Sequence, residues 1–115
     1  MRIGVTSQNF RTITGHAGKT RRFLVYEGDA ETGEVREVER IDLPKEMSLH
    51  AYRGGEPHPI ESFDALITAG CGHGFIGRMV AWGVKLYVTG ESDPETAARK
   101  VVRGEPLAPP EPHDH

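Results

Sequence analysis

The segment from Phe63 to Gly77, FDALITAGCGHGFIG, constrains the fold more than any other part of the chain. It opens as an apolar run that is typical of a buried strand and continues into a loop of alternating glycines. A helix is predicted next, because Phe75, Met79 and Trp82 recur at positions i, i+4 and i+7. The apolar run from Val84 to Val88 then predicts a second strand. Two strands joined by a helix form a β-α-β unit, so we expect them to be parallel with a right-handed crossover.

Three further strands are predicted from runs of β-branched and aromatic residues. The first begins at Ile3, the second spans Arg22 to Glu27, and the third spans Glu34 to Ile41. In the third, apolar residues recur at every third position, which suits either a helix or a strand with a bulge. Glycines and an aspartate bracket the connection between the second and third segments, so we expect a hairpin there.

A connector and a closing helix account for most of the remaining chain. Residues 42–62 hold several glycines and prolines, so the connector can form at most a turn or two of helix around Lys45 to Tyr52. A helix is predicted from Pro94 to Gly104, with Ser92 or Asp93 as its capping residue. The connector is therefore expected to lie within one domain and not to separate two.

We expect one domain over residues 1–105, since a chain of 115 residues with 37% hydrophobic content can bury a modest core. Residues 106–115 are rich in proline and show no apolar pattern, which predicts a disordered tail. Its histidines, His113 and His115, have a spacing that can bind a metal ion, but the sequence assigns them no specific role.

The composition argues against two classes of partner. The formal net charge of −3 gives no electrostatic basis for binding nucleic acid. No apolar run approaches the ~20 residues that span a bilayer, and the first residues do not resemble a secretory signal. A single cysteine cannot form an internal disulfide. We therefore expect a cytoplasmic protein with no nucleic acid and no membrane as partner.

Two glycine-flanked loops carry the candidate ligand residues. Cys71 and His73 follow the strand of the β-α-β unit, and His16 lies in the earlier loop Thr14 to Lys19. Thiolate and imidazole are soft and borderline donors that suit transition metals, and we expect the helix amino end to lower the pKa of Cys71. A small buried thiol is the alternative interpretation of this cysteine. The loop glycines would let a ligand approach the backbone: Gly70, Gly72 and Gly74.

Basic residues near these loops favour an anionic ligand. Lys19 and Arg21 follow His16, and Arg78 lies in the predicted helix after the second loop. Lys19 and Arg21 could equally be solvated residues that discourage pairing at a strand edge. His50 and His58 lie in the connector, and we interpret them as structural or solvent-exposed residues.

Gly72, Gly74 and Gly77 also spell GxGxxG between a strand and a helix, which is the dinucleotide-binding fingerprint. A dinucleotide fold needs two β-α-β halves, and only one is predicted here. A nucleotide- or phosphate-binding regulatory module that uses this loop is therefore the alternative function. A thiol redox enzyme centred on Cys71 is a further alternative, although no acidic residue accompanies His73.

The chain resembles the dinitrogenase iron–molybdenum cofactor-binding family over residues 1 to about 105. The resemblance rests on MRIGVTSQ, TGHAGKTRRF, DALITAGCGHGF and GVKLYVTGESDPETAARKVVRG, in this order. The family includes small nitrogenase-cofactor carriers and the carboxyl-terminal domain of NifB. The resemblance implies a ribonuclease-H-like α/β fold, with a mixed five-stranded sheet ordered 3-2-1-4-5 and flanked by helices. It also implies binding or carriage of a metal–sulfur cluster and not catalysis.

Within this resemblance, His16 matches the histidine of an HFG-like family motif, with Ala17 in place of the common phenylalanine. The implied order places strands 1 and 4 side by side, so the loops that follow them meet at one edge of the sheet. We therefore predict His16, Cys71 and His73 as ligands of an anionic iron–molybdenum or iron–sulfur cluster. Nitrogenase or cofactor-assembly proteins would be the partners.

Overall fold

One mixed sheet of five strands with two α-helices forms the fold, in a computed structural model that describes residues 1–54 and 57–110. The strands are β1 (Arg2–Thr6), β2 (Arg22–Asp29), β3 (Glu34–Asp42), β4 (Ala65–Thr68) and β5 (Lys85–Val88). The helices are α1 (His73–Trp82) and α2 (Pro94–Arg103), and the connector holds two short 3-10 helices, Lys45–Met47 and Pro59–Ser62. Within the described ranges, no helix is long and apolar enough to cross a membrane.

The strands are ordered β3-β2-β1-β4-β5, which confirms the order that the family resemblance implies. β1 pairs antiparallel with β2, and β2 pairs antiparallel with β3, so the predicted hairpin is present. β1 pairs parallel with β4, and β4 pairs parallel with β5. Since α1 lies between β4 and β5 in the chain, the predicted β-α-β unit is confirmed.

A bulge in β3 explains the three-residue spacing of its apolar side chains. The register between β2 and β3 shifts at Val25 and Tyr26, which leaves Val38 without a partner on β2. Side chains of a strand alternate between faces, so one extra residue reverses the alternation beyond it. Val35 accordingly packs on the face that α2 covers, and Ile41 packs on the face that α1 covers. The bulged strand is the correct alternative, and the helix is not.

Each face of the sheet carries its own buried cluster. The cluster beneath α2 includes Ile3, Val5, Leu24, Tyr26, Ala65, Ile67, Ala97, Ala98 and Val101. The cluster beneath α1 includes Phe23, Val25, Leu66, Phe75 and Met79, and the connector adds Leu43, Leu49, Tyr52 and Ile60. The connector is therefore part of the hydrophobic core, and its position relative to the sheet is set by buried side chains.

His58 stabilises the connector from a buried position. Its Nε2 lies 2.6 Å from the carbonyl oxygen of Met47, and its Nδ1 accepts the backbone N–H of Ile60 at 3.2 Å. A neutral imidazole satisfies both bonds when Nε2 carries the proton. Burial, which disfavours the charged form, lowers the pKa of His58. The structural interpretation of this histidine agrees with these contacts.

Residues 107 and 108 contact the domain, which differs from the disorder expected for this part of the tail, and residues 111–115 of the expected tail lie outside the described residues. Leu107 packs against the cluster beneath α2. The Ala108 carbonyl accepts bonds from the Thr89 hydroxyl at 2.7 Å and the Gly90 N–H at 3.1 Å. Backbone carbonyls remain available in a proline-rich segment, so it can attach to a sheet end without any apolar pattern. The expectation for His113 and His115 lies outside the described residues.

A pair of glycine substitutions tests this packing. A Cβ added at Gly4 would overlap the ring of Phe63, whereas one added at Gly77 meets no atom within 4 Å. We expect Gly4→Ala to destabilise the protein by roughly 1–3 kcal/mol through overpacking. Gly77→Ala should stabilise it by about 1 kcal/mol, because alanine is the better residue inside a helix. Urea unfolding of both variants measures the two changes, and equal effects would contradict the packing at Gly4.

His58 predicts a pH dependence of stability. The pKa of the folded state is lowered below the ordinary 6.5, so as the pH falls through that value the unfolded chain takes up a proton first. The free energy of unfolding should therefore decrease from pH 7 to pH 5. His58→Gln should flatten this decrease, and His73→Gln, which changes an exposed residue, should not. Urea titrations across this range would contradict the idea if all three proteins gave the same slope.

Candidate functional site

The loops that follow β1 and β4 meet at one edge of the sheet. Because the two strands are parallel neighbours, their carboxyl ends lie side by side. Backbone bonds then join the loops: the Ala69 N–H donates to the Thr14 carbonyl, and the Ala17 N–H donates to the Gly70 carbonyl, both at 3.1 Å. The two glycine-flanked loops identified in the sequence therefore form one continuous structure.

Two buried threonines attach the joined loops to the ends of β1 and β4. Thr6 ends β1 and Thr68 ends β4, and their hydroxyl oxygens lie 2.8 Å apart. The Thr6 hydroxyl lies 2.6 Å from the carbonyl oxygen of Thr14, and the Thr68 hydroxyl lies 3.2 Å from it. Both side chains are fully buried. A single carbonyl of the first loop is thus attached to the ends of both strands.

His16 lies at a turn with a left-handed backbone. Its φ is +54°, which is uncommon for a residue with a side chain, and its carbonyl accepts the N–H groups of Lys19 and Thr20 at 2.9 and 3.1 Å. The next residue, Ala17, is fully buried and fixes the loop against the core. Left-handed residues outside glycine persist where their surroundings determine the conformation, often at ligand sites. The His16 side chain itself is exposed.

A cavity of about 810 Å³ lies between these loops, the connector and the start of α1. This volume falls within the range of about 300–1,000 Å³ that is usual for small-molecule sites. The cavity is lined by Gly15, His16, Ala17, Gly18, Lys19, Leu49, His50, Ala69, Gly70, Cys71, Gly72, Gly74, Phe75 and Arg78.

The cavity is locally positive although the chain carries a net charge of −3. Lys19 and Arg78 line it, and no carboxylate is among its described lining residues. Neither cation forms an ion pair with a described carboxylate. Six other basic side chains do: Arg2, Arg22, Arg40, Arg99, Lys100 and Arg103. Among the described residues, no carboxylate pairs with the positive charge at the cavity.

Aromatic rings hold Arg78 in place. Its guanidinium lies 5.6 Å from the ring centres of both Tyr52 and Trp82, within the range of cation–π contact. Trp82 also stacks on His58, with ring centres 5.6 Å apart. The helical spacing predicted Trp82 in the buried stripe of α1, but the side chain is only half-buried. It connects the buried connector histidine to a cation of the cavity.

Cys71 lies directly before the residue that caps α1, Gly72. Its side chain is half-buried and packs against the cluster beneath α1. Burial raises the pKa of the Cys71 thiol, so the expectation that the helix amino end lowers this pKa is wrong. The thiol precedes the cap and is partly desolvated, and desolvation of the thiolate is the larger effect. An isolated Cys71 is therefore protonated at neutral pH.

Seven of the nine predicted site residues line the cavity, namely His16, Lys19, Gly70, Cys71, Gly72, Gly74 and Arg78. Arg21 and His73 are not among them. His73 begins α1 with an exposed side chain, so the structure brings His16 and Cys71 together without it. Within residues 1–54 and 57–110, no three His, Cys, Asp or Glu side chains are grouped to hold a single metal ion. The predicted set of three ligands is thus not a preformed site for one ion.

His50 also lines the cavity, although the sequence suggested only a structural or solvent-exposed role for it. Its backbone N–H donates to the Gly18 carbonyl at 2.7 Å, which attaches the connector to the His16 loop. No motif surrounds this histidine in the sequence. Its position depends on how the connector packs on the sheet, and local patterns do not encode that packing.

The amino end of α1 provides a further polar feature at the cavity. Gly72 caps this helix, and no side chain accepts a hydrogen bond from the first turn. The first N–H groups of a helix have no partner within the helix, and they carry partial positive charge. They add to the preference of the cavity for an anion.

Two solved structures have this fold. The crystal structure of PH0822 superposes with a TM-score of 0.66 at 15% identity, covering 91% of this chain and 92% of that chain. The NMR structure of TM1290 from Thermotoga, a NifB-like protein of the DUF35 family, superposes with a TM-score of 0.58 at 17% identity. That comparison covers 98% of this chain and 97% of the Thermotoga chain. At these identities the likeness establishes the fold.

The sequence itself identifies the family. No curated protein matches the chain significantly. The profile described as dinitrogenase iron-molybdenum cofactor matches residues 1–104, which is nearly the whole of the chain. The chain therefore belongs to the dinitrogenase iron–molybdenum cofactor family.

Proposed function

We propose that this protein is a non-catalytic carrier of an anionic metal–sulfur cluster, of the iron–molybdenum or iron–sulfur type, in cofactor assembly or delivery. One observation carries the proposal: His16 and Cys71 line the same cavity as Lys19 and Arg78, two cations that have no described carboxylate partner. Family membership supports the same conclusion. In the proposed role the cluster is cargo, and the protein holds it for transfer.

The lining residues suit such cargo chemically. Thiolate and imidazole are the usual protein ligands of iron in metal–sulfur sites, and Lys19 and Arg78 offset negative charge. If only a few residues of this chain ligate the cluster, its other metal atoms stay open to ligands from a receiving protein. That protein can therefore bind the cluster before the cluster leaves this chain. The thiol must lose its proton to ligate iron, and binding should therefore strengthen as the pH rises.

The proposal also covers the fold group, the cellular location and the partners of the carrier. We assign the fold to the ribonuclease-H-like group, which the 3-2-1-4-5 sheet supports. The proposed location is the cytoplasm, and the proposed partners are nitrogenase or cofactor-assembly proteins. The absence of carboxylates among the described lining residues supports binding over metal-dependent hydrolysis, which needs clustered acidic ligands.

A nucleotide- or phosphate-binding regulatory module is the second candidate. The amino end of α1 favours it, because no side chain caps its first N–H groups and such groups bind phosphate. Two features oppose it. The sheet contains one β-α-β unit instead of two halves, and phosphate recognition leaves His16 and Cys71 without a role.

Anaerobic reconstitution with ferrous iron and sulfide tests the carrier proposal. We expect the wild-type protein to retain iron and sulfide with charge-transfer absorption. The double variant His16→Ala, Cys71→Ser should retain at least about tenfold less, the lower end of what substitutions around a metal site usually cost. Lys85→Ala, an exposed lysine away from the cavity, is the control. Equal retention by the double variant and the wild type would contradict the proposal.

The reactivity of Cys71 separates a ligand from a redox nucleophile. Because burial raises its pKa, the rate of iodoacetamide alkylation should rise with pH to a midpoint above the ordinary value of 9.0. Cys71 is the only cysteine, so the rate reports on it alone. The urea-unfolded protein is the control and should show a lower midpoint. A lower midpoint in the folded protein would indicate an activated thiol and support the redox-enzyme alternative.

A further inference from the structure

We propose that His50, and not His73, is the second imidazole ligand of the cavity. This inference rests on the proposed function. The ligand set then comprises His16, His50 and Cys71, and it draws one residue from each of the three chain segments that form the walls.

The backbone of His50 is fixed at the cavity by two anchors. Its N–H donates to the carbonyl of Gly18 at 2.7 Å, two residues after His16. The preceding residue, Leu49, is buried in the cluster beneath α1. One anchor joins the connector to the His16 loop, and the other joins it to the core. His50 is therefore held beside the loop that carries the first imidazole.

The ring of His50 is available to a ligand. The side chain is exposed and lines the cavity, and its hydrogen bonds to described residues involve backbone atoms only. His58 provides the contrast within the same connector, since both of its ring nitrogens bond to the backbone and its side chain is buried. Of these two connector histidines, one is committed to structure and the other presents free nitrogens to the cavity.

The position of His73 supports His50 in its place as the second imidazole ligand. It is exposed at the first position of α1 and does not line the cavity, although it lies only two residues from Cys71 in the chain. His50 is distant in sequence and lines the cavity. A cluster of several metal atoms is larger than a single ion, so its ligands can lie farther apart than the ligands of one ion. Three donors on three walls therefore fit a cluster.

The experiment compares two single-histidine variants, His50→Ala and His73→Ala, by anaerobic reconstitution with ferrous iron and sulfide. Both residues are exposed, and alanine keeps the His50 backbone bond, so the melting temperature should stay unchanged. His50→Ala should retain at least about tenfold less cluster, since changes around metal sites commonly cost that much. His73→Ala should retain as much as the wild type.

A spectroscopic readout distinguishes ligation from a steric effect. Pulsed electron paramagnetic resonance of the reduced, reconstituted protein detects nitrogen that is bonded to the cluster. The wild type should show couplings from two imidazoles. His50→Cys should restore cluster retention, because a thiolate can replace the imidazole, and should show coupling from one imidazole.

The outcomes distinguish the assignment of His50 as a ligand from the carrier function. Wild-type retention by His50→Ala, or loss of cluster in His73→Ala alone, overturns the assignment of His50 and leaves the carrier function in place. Two nitrogen couplings in His50→Cys also overturn the assignment. Failure of the wild type to retain any cluster overturns both the carrier function and the ligand set.

Discussion

The parallel pairing of β1 with β4 is the constraint on which the candidate site depends. It places Thr6 and Thr68 at adjacent strand ends, where their hydroxyls share the Thr14 carbonyl. An antiparallel arrangement would put the loops after these strands at opposite edges of the sheet. Parallel neighbours need a long connection, and here β2, β3 and the connector supply it. The connector then returns over the α1 face and closes the third wall of the cavity.

Local charge, and not net charge, determines which ligand this cavity suits. At physiological ionic strength, exposed charges are screened over about 8 Å, so acidic residues elsewhere have little effect at the cavity. The nearby cations are Lys19 and Arg78, and Arg78 is held by aromatic rings instead of a carboxylate. Cation–π contacts fix the position of a guanidinium without neutralising its charge. An acidic protein can therefore present a cavity that favours anions.

Local sequence patterns predicted the parts of this fold that depend on local chemistry. The β-α-β unit and the capped helix α2 follow from apolar spacing, glycine and proline, and both are present. The order of the sheet came from the family resemblance. The bulge at Val38 remained ambiguous, because a three-residue spacing fits a helix or an interrupted strand until the pairing with β2 is known.

The features that the sequence patterns did not reveal share a physical cause, which is packing against distant parts of the chain. His50 reaches the cavity because Leu49 is buried beneath α1 and because its backbone N–H bonds to the Gly18 carbonyl, and no motif marks it. The pKa of Cys71 rises because the core partly covers the thiol, an effect that neighbouring residues in the sequence do not reveal. Leu107 packs on the domain although its segment resembles a tail. Short-range patterns assigned residue types to this site, and long-range packing selected which of them line it.

The raised pKa of Cys71 has a consequence for a carrier. A protonated thiol reacts slowly with oxidants and electrophiles, so the empty protein resists damage at this residue. Ligation to iron removes the proton, and the free energy of the metal–sulfur bond must exceed the cost of ionising a partly buried thiol. In the carrier proposed above, that cost would weaken the binding of the cluster and ease its release to a partner. In the proposed carrier, burial of Cys71 thus protects the empty site and also limits its affinity for the cluster.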